Sequence, residues 1–297
     1  VYLKRESSIL KRNIFCLVKN PLRILKFWFS DIIFDKKGGA KDSLLQKYME
    51  LETLFVVLFG ISIGSFVNVL IYRIPKGESI VLPASHCPKC HVKLKFYHNI
   101  PILSWFFLRG KCAFCNSPIS SRYPIVEGLV GAIFVAIYLK FGISAESLIL
   151  GFIFSLLTAL SLIDIEHRAV PDSLNLSALT LAIIYTLEPH QIFISFQNAM
   201  LFAGGFAFLR FYVSYFAGRE AMGEGDIMIA GTIGAILGAT TGIFAIFLSS
   251  LLTLPAMLIF REKEMPYIPF LATALFLTLI FQESVIKLLN TILGGTF

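Results

Sequence analysis

Two aspartates that arrive at the ends of separate apolar runs are the side chains best suited to chemistry in this sequence. Asp164 closes the run Leu160-Ser-Leu-Ile-Asp, and Asp226 ends Gly223-Glu-Gly-Asp with long apolar stretches on either side. An ionisable side chain in a membrane span costs about 2.5–3.5 kcal/mol on insertion scales, so one that is kept implies a use. Two carboxylates that share a proton can act as base and acid on one water molecule. Asp164 lies near a helix C-terminus, where the dipole opposes negative charge, and that suits one member of such a pair. Asp226 alone reads equally well as an N-cap after a flexible glycine loop. A second aspartate at the same depth is what makes it a catalytic candidate.

Four of the five cysteines form two knuckles, Cys87-Pro-Lys-Cys90 and Cys112-Ala-Phe-Cys115, with 21 residues between them. Each Cys-x-x-Cys spacing lets two thiolates reach one ion, and two such knuckles complete a closed, four-sulfur tetrahedral shell. The expected role is a structural zinc ion that staples a loop with little core of its own. His86, His91 and His98 lie close by but are not needed as ligands, and are read as loop histidines.

The elements that must carry these residues follow from composition. The 297 residues are 56% hydrophobic and 15% charged, with a mean hydropathy of +0.77, too apolar for a soluble domain. The pattern predicts an all-α polytopic membrane protein of about eight spans. They fall near 51–72, 124–140, 148–165, 174–187, 192–216, 227–237, 241–260 and 268–287. Glycines 60 and 64 in the first span are expected at close helix contacts, and Asn68 in the same span needs a polar partner. Asp172, after Val170-Pro171, is expected to N-cap the next helix, and Glu166, His167 and Arg168 to form a solvated interfacial turn.

Charge sets the orientation. The loop 73–123 holds eight Lys or Arg against one acid, Glu78, which marks it as cytoplasmic. Alternation through eight spans then places Asp164, Asp172 and Asp226 at the cytoplasmic boundary. The net charge of +7 is accounted for by such loops and by the first fifty residues, so nucleic acid is not an expected partner. Residues 1–48 carry eleven Lys or Arg. They read either as an amphipathic arm on an anionic membrane surface or as an extension upstream of a true start at Met49, with the second preferred. The expected organisation is therefore 1–48 basic extension, 49–72 first span, 73–123 zinc-binding loop domain and 124–297 transmembrane domain carrying both aspartates.

The motifs together resemble the bacterial type IV prepilin peptidases, which are aspartyl membrane proteases. Gly64-Ser-Phe-Val-Asn-Val-Leu-Ile-Tyr-Arg-Ile-Pro75 is similar to the N-terminal motif of that family. Ser85-His-Cys-Pro-Lys-Cys90, Asn99-Ile-Pro-Ile-Leu-Ser104, Gly110-Lys-Cys-Ala-Phe-Cys115 and Ile119-Ser-Ser-Arg-Tyr-Pro-Ile-Val-Glu127 are similar to its zinc-loop motifs. The resemblance covers nearly everything from Met49 onward, and it places the two catalytic aspartates at Asp164 and Asp226. Two features depart from the family pattern: Met228 stands where members often carry Lys, and residues 1–48 have no counterpart.

The resemblance implies removal of the short basic leader from prepilin or pseudopilin precursors at the cytoplasmic face of the bacterial inner membrane. It also implies N-methylation of the new N-terminus with S-adenosylmethionine, with Asn68 and Glu127 as candidate contributors. No glycine-rich dinucleotide fingerprint supports that second activity. A transporter or proton relay built on intramembrane carboxylates, and a non-enzymatic assembly factor docking through the cysteine loop, are the alternatives. Membrane lipids are a partner in every reading. The boundary position of the two aspartates argues against a midplane ion site.

Overall fold

A computed structural model describes residues 40–218, 222–260 and 265–293. The reading of residues 1–39 lies outside the described residues. The chain divides into two units, Val1–Leu51 and Glu52–Phe297. Among the described residues, the first contributes only the opening turns of a helix, and the second carries every side chain discussed below.

The described residues fold into helices joined by turns, with two isolated β-bridges, His86–Lys93 and Lys111–Pro118, and no longer strand among them. They are α1 (Ala40–Arg73), α2 (Leu103–Phe107), α3 (Arg122–Phe141), α4 (Ala145–His167), α5 (Asp172–Ile184), α6 (Pro189–Ala217), α7 (Glu224–Phe260), α8 (Ile268–Ile280) and α9 (Gln282–Leu293). Ile71, Ile137, Leu157, Leu160, Ile163 and Leu275 are fully buried and form part of one continuous apolar core between the helices.

The expectation of about eight spans is not confirmed. Among the described residues, five helices are long and apolar enough to cross a membrane, or six if the pair α8–α9 is counted as one broken span. Three local features explain the difference. Helix α5 has 13 residues, which at about 1.5 Å per residue falls short of a hydrocarbon core of about 30 Å. The stretch expected as one span near 268–287 bends by 87° between α8 and α9. Gln282 and Glu283 open α9, and such residues do not continue an apolar helix into hydrocarbon at low cost.

The third feature is a break in α7 at Gly238, with φ 73° and ψ −174°. Nearly the same conformation, φ 71° and ψ −169°, ends α3 at Gly142. Gly234 and Gly242, on either side of the break, both meet the ring of Phe202, which sits 2.7 Å from where each would carry a Cβ. A straight helix would set them about 12 Å apart along its axis, so the break folds the two arms toward one aromatic ring. The arms 224–237 and 239–260 match two separately expected spans, and the first is nearly as short as α5.

Small residues join α1 to α3, as expected. A Cβ on Gly60 would lie 2.9 Å from the Cα of Gly131, and one on Gly64 would lie 2.7 Å from the Cα of Glu127. Such backbone approach supplies the packing that holds helices together where the surrounding lipid is equally apolar.

Candidate active site

Asp164 sits in the last turn of α4 and is 8% exposed. Its helix ends at Arg168, whose backbone is left-handed and whose N–H closes back onto the Asp164 carbonyl at 2.9 Å. The side chain turns the other way, toward the start of α8, where the Ile268 N–H donates to Oδ2 at 3.3 Å. The dipole at the end of α4 is unfavourable to a carboxylate, and the N-terminus of a second helix offsets it.

Asp226 occupies the third position of α7, which begins at Glu224. Its carboxylate lies beside Gly223, where a Cβ would stand 3.5 Å from Oδ2. Asp226 is therefore not the N-cap that its glycine-rich approach suggested. The structure brings Asp226 near enough to Asp164 for each carboxylate to feel the charge of the other.

The glycine loop is held from two sides. Gly225 is packed so tightly on Val170 that a Cβ would lie 2.7 Å from both valine methyls. On the other side, Nδ2 of Asn175 donates to the Gly225 carbonyl at 2.9 Å, and Asn175 is fully buried. Both partners follow Asp164 closely in the chain, so one short stretch delivers the first aspartate and then positions the second.

Two expectations for that stretch are corrected. Asp172 does not N-cap α5. Pro171 takes the cap position and Asp172 is the first helical residue, with no side-chain capping bond. The Pro171 carbonyl accepts the N–H groups of Leu174 and Asn175 instead, and Asp172 remains where a negative charge suits the dipole. Glu166 is also more than a solvated turn residue, because both of its carboxylate oxygens accept from Nη1 of Arg122 at 2.6 Å. That ion pair ties the start of α3 to the end of α4, two residues past Asp164.

The four cysteines converge as expected, with all four Sγ atoms within 4.8 Å of one another and no histidine in the group. The two knuckles repeat one geometry. Cys87 N–H donates to Val92 and His91 N–H to Cys87, just as Cys112 N–H donates to Ser117 and Asn116 N–H to Cys112. His91 and Asn116, each directly after the second cysteine, share a left-handed backbone with φ 57° and 56°. Cys87 and Cys115 Sγ are 3.8 Å apart, the edge expected of a tetrahedron with metal–sulfur bonds of about 2.3 Å.

The electrostatics of the knuckles point the same way. The Cys87 thiol is drawn down to about 6, chiefly by the backbone N–H of Cys90. Cys90 goes up to about 11: the Val92 N–H favours its thiolate, but burial and the other three sulfurs outweigh it. Sulfurs this close hold a full set of negative charges only around a cation, so the donor set fits a zinc ion.

A third polar cluster joins the loop to the membrane helices. Oε2 of Glu127 accepts the N–H of Ile102 at 2.6 Å, and Glu127 is 6% exposed. Nδ2 of Asn68 donates to the carbonyl of Tyr123 at 3.1 Å, while its buried Oδ1 has no partner. Arg73, counted above only as a basic residue, is 7% exposed and donates to the carbonyls of Ser79 and Pro83 at 2.8 and 2.7 Å. Asn175, Ile268 and Arg73 were not singled out from sequence. Of the three, only Asn175 left a signal, a polar residue inside a short apolar helix.

Comparison with known proteins gives consistent matches. Residues 58–141 match the family described as Bacterial Peptidase A24 N-terminal domain, and residues 151–258 match the Type IV leader peptidase family. The chain is 38% identical over 192 residues to a Prepilin leader peptidase/N-methyltransferase of Myxococcus xanthus, covering 63% of this chain and 56% of the relative's length. A protein of that name from Neisseria gonorrhoeae is 32% identical, over 70% of this chain and 82% of the relative. Another, from Dichelobacter nodosus, is 33% identical, over 79% and 93%. No solved structure matches the chain.

Proposed function

The chain belongs to the type IV leader peptidase family, and from that premise we propose that Asp164 and Asp226 are the catalytic pair of a prepilin leader peptidase. The observation that carries the assignment is the approach of buried Asp164 and half-buried Asp226 from different helices, with Asp164 accepting the Ile268 N–H and the carbonyl before Asp226 pinned by Asn175. One carboxylate takes a proton from water as the oxygen attacks the scissile carbonyl, and the other donates a proton to that carbonyl oxygen. Collapse of the tetrahedral diol breaks the C–N bond, and the amine leaves with a proton from the dyad. The pair titrates as a unit, so neither aspartate is assigned alone as the base.

The substrates are prepilin or pseudopilin precursors. The reaction takes place at the cytoplasmic face of the bacterial inner membrane, a placement supported by the basic loop 73–123. The transporter and assembly-factor readings have no comparable support.

The same chain methylates the new N-terminal amine. S-adenosylmethionine supplies the methyl group when bound. The α1–α3 interface fits a cationic group, because the partnerless Oδ1 of buried Asn68 and the carboxylate of Glu127 are both acceptors. Asn68 and Glu127 would hold the positively charged reactants there. Cys87, Cys90, Cys112 and Cys115 would hold zinc with no open position, so the ion supports the loop and leaves the chemistry to other groups.

The test is co-expression with a prepilin-type precursor and intact-mass measurement of the product. Wild type is expected to remove the leader and add the mass of one methyl group. Asp164→Asn and Asp226→Asn are each expected to lower cleavage by about 10²–10⁴-fold and to leave methylation of a pre-cleaved substrate in place. Cleavage that persists in both variants would refute the dyad.

A further inference from the structure

The cysteine loop carries a surface that neither its own fold nor the active site uses. From residue 79 to residue 126 the chain contains no Asp or Glu. Over the same stretch Lys89, Lys93, Lys95, Arg109 and Lys111 are exposed. Among these bases the loop also exposes its largest apolar side chains: Phe96 is 84% exposed, Phe107 83%, Phe106 64% and Leu103 54%. Helix α2 is only five residues long, and two of them are these phenylalanines. Beside it lies an open groove of about 370 Å³ lined by Tyr97, Ile100, Leu103 and Phe107.

Contiguous apolar surface of this kind on a water-facing loop marks a contact site. Two observations say what covers it. The loop is bounded at both ends by membrane helices, α1 ending at Arg73 and α3 beginning at Arg122, so the bilayer surface is within reach. The unbroken run without acids complements anionic headgroups, and aromatic side chains ringed by Lys and Arg are the pattern that seats a segment at the boundary of headgroups and acyl chains.

We propose that the face formed by Phe96, Leu103, Phe106 and Phe107 is inserted into the interfacial layer of an anionic bilayer, with the surrounding lysines against lipid phosphates. The zinc loop then lies on the membrane instead of standing in solvent. That anchoring fixes the height of Ile102, and through its bond to Glu127 the height of the loop over α1 and α3.

The experiment is lipid quenching in nanodiscs, which needs no enzymatic activity. Trp replaces an exposed apolar residue in Phe107→Trp, and the parent chain gives the background from Trp28 and Trp105. Lipids brominated in the upper acyl chain are expected to reduce the added emission by roughly half. The effect is expected to be stronger in nanodiscs containing phosphatidylglycerol than in phosphatidylcholine alone, and to weaken with salt and in Lys93→Gln/Lys95→Gln/Lys111→Gln. An unquenched, water-like emission from Trp at position 107 in both lipids would overturn the proposal. So would a blue shift that appears only when a prepilin precursor is added, because the face would then belong to a protein partner. Equal quenching in both lipids would overturn the electrostatic half.

Discussion

The side-chain amide of Asn175 donates to the carbonyl of Gly225 at 2.9 Å, one residue before Asp226, from a position with no solvent exposure. The bond joins the first turn of α5, which follows one aspartate in the chain, to the first turn of α7, which carries the other. Removing the donor leaves a buried carbonyl unpaired, at a cost of about 1–3 kcal/mol. Asn175→Ala is expected to lower kcat for leader removal roughly 10–100-fold with little change in KM, because it misplaces a catalytic group and leaves the binding surface alone. Asn175→Asp keeps the shape but loses the donor, and is expected to behave like Asn175→Ala. Steady-state kinetics on both variants, with methylation of pre-cleaved substrate as the folding control, checks this. Wild-type kcat in either variant would show that the bond has no positioning role.

The contact between Gly225 and Val170 is specific in the same way. A Cβ at 225 would stand 2.7 Å from both Val170 methyls, and overpacking of this kind costs about 1–3 kcal/mol. Gly225→Ala is expected to abolish most cleavage, and Val170→Ala in the same chain is expected to restore a substantial part by clearing the space. Failure of the second substitution to rescue would mean that the glycine is needed for close approach of substrate backbone, not for packing on the valine.

The Arg122–Glu166 pair is partly exposed, with side chains 22% and 34% accessible, so its stability contribution is about 0.2–1 kcal/mol. Its expected effect is on geometry, since it joins the zinc loop's exit to the end of the Asp164 helix. Glu166→Gln and Arg122→Gln are each expected to reduce cleavage a few-fold, and the double variant to lose no more than either alone. Additive losses in that cycle would show that the two residues act separately.

Removal of zinc is expected to separate the two activities. The proposed dyad draws on α4, α7 and α8 and on no side chain of the cysteine loop, whereas Glu127 and Asn68 touch Ile102 and Tyr123 at its edges. Chelation, or Cys112→Ser, is expected to make residues 73–123 sensitive to limited proteolysis. Methylation should then fall by a larger factor than cleavage. Equal loss of both activities would show that the loop also supports the peptidase site.

The features legible in the sequence were those in which a residue type carries its own chemistry. Asp164 and Asp226 stand out because a carboxylate at an apolar boundary is costly. The four cysteines stand out because thiolate spacing and tetrahedral geometry are both local. Hydropathy alone indicated a helical membrane protein, and Gly60 and Gly64 were assigned correctly to helix contacts. The tertiary structure decided what depends on distant partners. Asn175 acquires its role only because α5 folds against the Gly225 carbonyl, and Ile268 only because the start of α8 meets the end of α4. The same holds for the span count, since an apolar run specifies burial but not direction. Gly238 and the pair Gln282-Glu283 mark in the sequence where the chain can break or bend, but the break, the 87° bend before α9 and the short reach of α5 are seen only in the folded helices.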